Sequence, residues 1–323
     1  MAARSLWTAL VAFSLIIVYF HVKMRYQALL TALPLLQATR AVRIVQSNDD
    51  GWAELYIRSL NDALNDAGHD VVLSAPADNG SGSGSSDEEP EPRTDACEYD
   101  SCPANSGPTG TNATNTRLNW VNSYPVTSVR YGIDTFAPQF FNGEAPELIV
   151  SGPNVGTNLW VQVPFSGTVG VAVFASNDRG IPALAFSGAS SGNLAYDTEP
   201  VPQRSLVYAQ LATQLTNAIV DSGAPYLPNQ TWLNVNFPEV EGDCTDAANF
   251  KWIMTRINPG VVSEPDVETC GSNRLPTETS VILGGGCNIA VSVGDSTDKT
   301  TASADKQAVV LEKLSSMLTC QDD

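Results

Sequence analysis

The sequence predicts an α/β fold: a three-layer, Rossmann-like, mostly parallel sheet with an appended β-rich C-terminal region. Short β-branched apolar runs alternate with segments of helical spacing, Gly- and Pro-rich stretches separate them, and the body of the chain opens on a strand, a helix and a strand. Parallel strands joined by helices imply right-handed crossovers and a sheet that helices cover on both faces. No internal repeat or interdomain linker is visible in the 323 residues, so one domain is expected.

The first unit of this fold occupies residues 42–75. Residues 42–46 are a short β-rich run, residues 53–66 have helical spacing, and residues 71–75 are apolar again. The apolar side chains of the helical segment form one stripe that can be buried, and Gly68 ends the helix. This order predicts a parallel pair of strands at the start of the sheet.

Later elements continue the alternation after a long loop insertion. Residues 78–118 are rich in Gly, Ser, Asp, Glu, Pro, Asn and Thr and have almost no apolar side chains to bury, which predicts a loop. Ordered structure is expected to resume at residues 119–129, followed by strands at 148–150, 183–186 and 232–236 and helices at 169–177 and 205–220. Beyond about residue 250 we predict strands at 252–256 and 289–293 and a closing helix at 306–318.

Residues 1–41 are predicted to be a targeting segment, and residues 42–323 the folded domain. The apolar stretch after Arg4 is near the lower length limit of a membrane span, which fits a signal anchor. Residues 24–41 have the charged, apolar and small-residue regions of a signal peptide, which favours Met24 as the start. We therefore expect a secreted, extracellular protein, with a membrane-anchored protein of the secretory pathway as the alternative. No stable membrane partner is expected unless the anchor is retained.

The six cysteines fit an oxidising compartment, because an even number of them in an exported protein indicates disulfides. Cys97 and Cys102 are expected to pair locally. The other four allow three pairings that the sequence leaves open: Cys244, Cys270, Cys287 and Cys320. No CxxC pair is present, which argues against a zinc cluster. Glycosylation sequons begin at Asn79, Asn112 and Asn229, which would then lie on the surface.

The net charge and the histidine content limit which partners, catalytic groups and metals are possible. The formal net charge of −18 disfavours a polymeric nucleic acid as partner, because its phosphates would be repelled. Only two histidines occur, and His21 lies in the predicted targeting segment. A Ser-His-Asp hydrolase would have to use His69, and a histidine-rich metal centre has too few imidazoles. Any metal must be held mainly by oxygen, which favours Mg²⁺, Mn²⁺ or Ca²⁺ over Zn²⁺.

The most informative motif is Ser47-Asn48-Asp49-Asp50-Gly51, between the first predicted strand and the first predicted helix. Ligands of doubly wound sheets collect outside the carboxyl ends of the strands, where this motif falls. Two adjacent carboxylates raise each other's pKa unless a cation neutralises them. The alternative is structural: Asn48 or Asp49 caps the helix and Asp50 favours its N-terminal dipole. Spacing alone leaves both interpretations open.

Three further small-residue clusters are candidates for ligand contacts. Residues 151–158 follow a predicted strand and include two asparagines, although an ordinary turn has the same composition. Residues 166–168 (Ser-Gly-Thr) lead into a predicted helix. The backbone N–H groups and hydroxyls at such a helix start can bind a phosphate. The alternative is that the serine is only the N-cap of the helix. The Gly/Ser run at residues 79–84 makes neither GxGxxG nor a P-loop, and its Ser81 is a candidate ligand in a flexible loop.

Taken in order, these clusters resemble the SurE survival-protein family of metal-dependent nucleotidases and acid phosphatases, particularly its secreted fungal-type members. The resemblance rests on VRIVQSNDDG at 42–51, AGHDVVLSAP at 67–76, ELIVSGPNVGTNLWVQVPFSGTVGVAVFASNDRGIPALAFS at 147–187 and LNVNFP at 233–238. It implies a metal-dependent phosphomonoester hydrolase, an acid phosphatase or a 5′/3′-nucleotidase. The implied substrate is a small phosphomonoester such as a nucleoside monophosphate, and the implied cofactor is a divalent cation.

The family's site residues carry over to the matching positions of this sequence. The resemblance implies metal ligation by four side chains: Asp49, Asp50, Ser81 and Asn154. One of the two aspartates could act as base or nucleophile. The resemblance also implies substrate contacts from Asn158, Ser166, Gly167 and Thr168. His69 falls at a Gly-His turn and is expected to be structural, and Pro153 departs from the aliphatic residue that is usual there.

The sequence leaves two other functions to consider. A secreted protein of the same fold that binds a phosphate ligand or a nucleotide without turnover is the main alternative. An oxidoreductase with a nicotinamide cofactor is disfavoured, because the glycine fingerprint is missing after the first strand. The sequence leaves homo-oligomerisation open.

Overall fold

A computed structural model describes residues 41–321 of the chain. The predicted targeting segment lies outside the described residues, apart from Ala41. None of the helices within residues 41–321 is long and apolar enough to cross a membrane.

One mixed sheet of ten strands organises the described residues. Its strands are β1 (Arg43–Ser47), β2 (Asp70–Pro76), β3 (Thr109–Thr111), β4 (Leu118–Val121), β5 (Leu148–Val155), β6 (Ala183–Gly188), β7 (Thr231–Phe237), β8 (Lys251–Thr255), β9 (Asn288–Asp295) and β10 (Leu318–Thr319). Their order across the sheet is β10-β8-β9-β7-β6-β5-β1-β2-β4-β3. Only the β7–β9 and β3–β4 pairs in this sheet are antiparallel, so the predicted mostly parallel sheet is confirmed.

Helices cover both faces of the sheet. They are α1 (Leu55–Asp66), α2 (Pro125–Tyr131), α3 (Ala137–Phe140), α4 (Gly167–Asp178), α5 (Gln203–Asp221), α6 (Glu278–Leu283) and α7 (Ala304–Lys313). Neighbouring residues of β1 point to opposite faces: Ile44 packs in one core with Leu60 and Leu211, whereas Val45 packs in another with Val129 and Val169. The α1 and α5 side chains thus lie on one face and those of α2 and α4 on the other, which makes the three predicted layers.

The β-rich C-terminal region is present and extends the same sheet. Strand β9 pairs antiparallel with β7, and β8 and β10 follow beyond it. The closing helix ends at Lys313, so its predicted extension to residue 318 is wrong. Leu318 instead belongs to β10 and packs against the core from there, which explains why its spacing fitted a helix.

The insertion at residues 78–118 is mostly loop, but it contains a 3₁₀ turn at Glu98–Asp100 and a short strand. Thr109–Thr111 forms β3, which pairs with β4, and β4 begins one residue earlier than predicted, at Leu118. Polar contacts hold the loop in place of an apolar core. The Arg93 guanidinium donates to both carboxylate oxygens of Asp78 at 2.8 and 3.1 Å and to the Asn122 side chain at 2.8 Å.

All six cysteines form disulfides. Cys97–Cys102 confirms the predicted local pair, and the pairings that the sequence left open are Cys244–Cys287 and Cys270–Cys320. Because no thiol is free in the described chain, these cysteines cannot bind zinc.

His69 lies in the turn between α1 and β2, at the amino end of the strand. Its Nε2 atom is 2.8 Å from the Asn217 side-chain oxygen on α5. The ring thus connects the α1–β2 turn to α5 at the amino ends of the strands, on the side of the sheet away from their carboxyl ends. A structural role was expected there.

Gly170 allows helix α4 to touch the loop that contains Ser81. A Cβ atom at Gly170 would lie 1.9 Å from the carbonyl oxygen of Gly84. We expect Gly170→Ala to lower the free energy of unfolding by about 1–3 kcal/mol, because this clash outweighs the gain in helix propensity of ~1 kcal/mol. Urea titration followed by tryptophan fluorescence measures the change.

Gly107→Ala is the matched control for that substitution. Its Cβ atom would meet the Thr109 carbonyl at 3.6 Å, an ordinary van der Waals contact, so its stability should stay near that of the wild type. Equal stability of Gly170→Ala and Gly107→Ala would contradict the close approach of helix and loop.

Candidate active site

The candidate site lies at the carboxyl ends of the central strands. Strand β1 has β2 on one side and β5 on the other, so the order of the chain across the sheet reverses next to it. The crevice at such a reversal is where open α/β sheets bind ligands. The Asp49–Asp50 pair follows β1 at this point, and both side chains are buried.

Asp49 is held by the amino end of helix α4. Its Oδ2 atom accepts a hydrogen bond from the Gly167 N–H at 3.0 Å, and its Oδ1 atom accepts one from the Thr168 hydroxyl at 2.5 Å. The positive end of the helix dipole favours a carboxylate here. The Ser166 hydroxyl accepts from the Val169 N–H at 3.1 Å and is therefore the N-cap of α4.

Asp50 is held by strand β5 and the loop after β6. Its Oδ2 atom accepts from the Val155 N–H at 2.8 Å, and its Oδ1 atom accepts from the Asn193 side chain at 3.2 Å. Asn154 joins the same group, since its side-chain oxygen is 3.5 Å from the Thr168 hydroxyl and its amide nitrogen donates to the Gly156 carbonyl at 2.7 Å.

The helix-cap interpretation of this motif is wrong. Helix α1 is capped by Glu54, whose carboxylate accepts from the Tyr56 N–H at 2.5 Å. Asn48 instead closes the turn at the end of β1 through two hydrogen bonds with the Gly51 backbone, at 3.0 and 3.3 Å. Neither aspartate contributes to the N-terminus of α1, so their burial needs another reason.

The negative charge of the pair has no compensating partner among the described residues. Burial raises the pKa of Asp49, and burial with the charges of Asp49 and Glu54 raises the pKa of Asp50 well above its usual range. Within residues 41–321 no Lys or Arg forms an ion pair with either aspartate. No three His, Cys, Asp or Glu side chains of that range converge on one point, so neutral oxygens would have to complete a metal site.

The loop at residues 78–84 lies beside Asp49. The Gly80 N–H donates to the Asp49 carbonyl at 2.6 Å. Ser81 is exposed and its N–H donates to the Asn79 side chain at 2.8 Å, while its hydroxyl makes no hydrogen bond to either aspartate in the described chain. The fold therefore places Ser81 next to the pair without joining its side chain to them.

Ser83 is a neighbouring hydroxyl that the sequence reasoning missed. Its Oγ atom is buried without a hydrogen-bond partner among the described residues. A Cβ atom on Gly167 would lie 3.0 Å from this Oγ and 2.7 Å from the Asp49 Cβ, so the three groups are adjacent. Buried hydroxyls usually have a hydrogen-bond partner, so Ser83 is a further candidate for a ligand contact on this side of the crevice.

Asn158 lies in a neighbouring network, away from direct contact with the aspartates. Its N–H donates to the Asn236 side chain and its amide nitrogen donates to Ser187, both at 2.8 Å. Its carbonyl accepts from the side chains of Asn234 and Asn236. This network fixes the chain after β5 on the ends of β6 and β7.

Glu278 anchors the same region from α6. It is fully buried, and its carboxylate accepts from the Trp160 N–H at 2.9 Å, from Asn234 at 2.8 Å and from the Ser292 hydroxyl at 3.1 Å. Burial raises its pKa to about 8, and burial does the same for Glu54. Neither glutamate was predicted from the sequence. Asn193 was not predicted either. It lies in a Gly/Ser/Asn run directly after β6, and a run of this kind after a strand was the signal for the other clusters.

The chain is similar to known proteins in both sequence and fold. The family model described as "Survival protein SurE" matches residues 44–260. An acid phosphatase of Yarrowia lipolytica is 32% identical over 285 residues, which cover 77% of this chain and 78% of that protein. A 5′-nucleotidase SurE of Gloeobacter violaceus is 30% identical over 259 residues, covering 76% and 87%. The crystal structure of a SurE protein from Aquifex aeolicus has the same fold, with a TM-score of 0.55, 23% identity and coverage of 79% of this chain and 93% of that one.

The raised pKa of Glu278 makes stability depend on pH. The folded chain retains a proton on Glu278 up to about pH 8, whereas the unfolded chain releases it near the ordinary value of 4.5. The stabilising contribution of this group is thus complete below the unfolded pKa and is lost as pH rises through this window. We expect the free energy of unfolding of the wild type to fall relative to Glu278→Gln by up to about 1.4 kcal/mol per pH unit between these values.

Urea titrations of both proteins at pH 5, 6, 7 and 8 measure this difference. Glu312→Gln, at an exposed position on α7, is the control and should follow the wild type at every pH. Parallel curves for the wild type and Glu278→Gln would show that Glu278 is ionised in the folded protein.

Proposed function

Because this chain belongs to the survival protein SurE family, we propose that it is a metal-dependent phosphomonoester hydrolase, an acid phosphatase or a 5′/3′-nucleotidase. The observation that carries the proposal is the buried Asp49–Asp50 pair, which has no cationic side chain beside it within residues 41–321 and lies where the strand order reverses. The relatives named acid phosphatase and 5′-nucleotidase support a small phosphomonoester, such as a nucleoside monophosphate, as the substrate.

We assign the cation to Asp49, Asp50, Asn154 and Ser81. Carboxylate oxygens that accept hydrogen bonds from the protein can also bind a cation, and Asn154 contributes a neutral amide oxygen. This all-oxygen set suits Mg²⁺, Mn²⁺ or Ca²⁺. A divalent cation bound here would polarise a phosphoryl oxygen and lower the pKa of an attacking water.

The residues at the start of α4 position Asp49 beside the proposed phosphate site. The Gly167 N–H and Thr168 hydroxyl fix the orientation of that carboxylate, and the Ser166 hydroxyl is the helix cap. The positive end of α4 lies behind them and favours an anion in front. In this proposal Asn158 and the Ser166–Thr168 turn line the phosphate site, and one aspartate accepts the proton of the attacking water or attacks phosphorus itself.

We also propose that residues 42–323 are the exported enzyme and residues 1–41 its targeting segment. Three disulfides in the described chain are typical of proteins that fold in an oxidising compartment. Two of the sequon asparagines, Asn79 and Asn229, are exposed and are candidate glycan sites.

Asp50→Asn tests the catalytic assignment. We expect this variant to lose about 10²–10⁴-fold in kcat, because the substitution removes a carboxylate from proton transfer and from the cation site. Hydrolysis of an aryl phosphate and of nucleoside monophosphates is measured with Mg²⁺, Mn²⁺ and Ca²⁺ in turn. Asp66→Asn, an exposed aspartate at the end of α1, is the control and should retain the wild-type rate. Equal rates for Asp50→Asn and the wild type would contradict the assignment. If the wild type binds these substrates without hydrolysing them, the non-catalytic alternative is favoured.

Thermal stability tests the cation site without using activity. A ligand that binds only the folded protein stabilises it by about 2.7 kcal/mol at roughly a hundred times its Kd. We expect one of Mg²⁺, Mn²⁺ and Ca²⁺ to raise the Tm of the wild type by several degrees and EDTA to reverse the shift. Asp49→Asn should respond weakly or not at all, and an equal response of both proteins to every cation would place the site elsewhere.

A further inference from the structure

The connection between β5 and α4 exposes an unusual group of apolar side chains. Its 3₁₀ turn at Trp160–Phe165 leaves Trp160 47%, Val161 61% and Phe165 67% exposed. Neither aromatic ring stacks on another ring or lies under a cation in the described chain. Grouped exposed apolar side chains commonly mark binding surfaces. We call Trp160 and Phe165 together the aromatic platform.

The backbone of Trp160 is held in an unfavourable conformation. Its φ of 37° lies in the left-handed region, which bulky residues seldom adopt. The Glu278 carboxylate accepts from its N–H at 2.9 Å, and the Gln162 side chain accepts from the preceding Leu159 N–H at 2.9 Å. The fold thus fixes this residue while leaving its ring in solvent. Strained positions of this kind concentrate at functional sites.

Phe165 joins the aromatic platform to the proposed phosphate site. Phe165 directly precedes the Ser166–Thr168 turn that holds Asp49, and three residues span at most about 10 Å. The Phe165 carbonyl also accepts from the Gly84 N–H at 2.9 Å, which ties the platform to the loop that contains Ser81. A substrate with its phosphate at the aspartates would therefore lie beside the turn to which both rings belong.

Charge gives a reason for such a platform. The chain carries a formal net charge of −18, which repels an anionic substrate at long range. Stacking of a flat ring on an aromatic side chain supplies affinity that this repulsion does not weaken. A positive charge lies beside the same connection, because the Lys299 ammonium donates to the Pro164 carbonyl at 3.2 Å.

We propose that Trp160 and Phe165 bind the aromatic ring of the substrate and make the site selective for phosphomonoesters that carry such a ring. The inference rests on the proposed phosphomonoesterase function and adds the part of the substrate that lies away from phosphorus. A nucleobase and a simple aryl group share this chemistry, and the substrates of the test separate them.

The test uses two pairs of phosphates, each with closely matched leaving groups. AMP is compared with ribose 5-phosphate, and benzyl phosphate with cyclohexylmethyl phosphate, at a fixed cation concentration. We expect the wild type to prefer the member with the aromatic ring by about 10- to 100-fold in kcat/KM, from the stacking contribution of one ring. Preference in the first pair alone identifies a nucleobase, and preference in both pairs identifies aromatic rings in general.

Substitutions then assign the preference to the platform. Trp160→Ala and Phe165→Ala should each raise KM for the ring-bearing substrates by about 5- to 20-fold, while rates with ribose 5-phosphate stay within about twofold. Trp160→Phe keeps a ring and should retain most of the preference. Leu206→Ala, at an exposed apolar position on α5, is the control and should change neither.

Three outcomes overturn the inference. Hydrolysis of all four phosphates without a preference would contradict the platform and leave the proposed function standing. Equal losses on ring-bearing and ring-free substrates in Trp160→Ala would show a structural role only, and a changed oligomeric state of that variant in analytical ultracentrifugation would assign the rings to a subunit interface. If no phosphate is hydrolysed, the proposed function fails. Binding to the platform is then tested separately: AMP should quench the tryptophan fluorescence of the wild type more than that of Trp160→Phe.

Discussion

The burial of two adjacent carboxylates at the end of β1 is the constraint on which the site depends. Removing Asp49 and Asp50 from water is costly, and each raises the cost for the other. The surrounding elements offset this cost with four donors: α4 provides Gly167 and Thr168, β5 provides Val155, and the loop after β6 provides Asn193. The site therefore exists only when four separate parts of the chain have assembled.

The shape of β5 shows how the sheet provides one of these donors. Strand β1 pairs with β5 only as far as Ser151, whereas β5 continues along β6 to Val155 after an irregularity between Ser151 and Asn154. The Val155 N–H thus lies beyond the end of β1 and is free to donate to Asp50. Gly152 makes the irregularity feasible, since its φ is 99° and a Cβ atom there would meet the Phe186 carbonyl at 2.2 Å.

Much of the fold and the position of the site could be predicted from local sequence. Alternating apolar runs predicted the central strands and helices. Polar clusters at strand ends predicted a group of residues that the fold brings together: Asp49, Asp50, Asn154 and the Ser166–Thr168 turn. The contributions of Glu54, Asn193 and Glu278 could not be predicted, because each depends on which distant segments meet at the crevice. The two C-terminal disulfides were undetermined for the same reason, and β10 was mistaken for helix because its leucine fits either periodicity. The roles in metal or substrate binding that were assigned to the residues of that group, to Ser81 and to Asn158 stay predictions.

Glu54 and Glu278 also change the electrical character of the folded molecule. With pKa values of about 8, both are neutral in the native protein at neutral pH, although the formal charge counts them as ionised. These two groups make the native protein less negative than its composition states, and unfolding near neutrality releases protons to the buffer. The heat of unfolding should consequently vary with the ionisation enthalpy of the buffer, and the native surface repels a phosphate less in acidic surroundings than in alkaline ones.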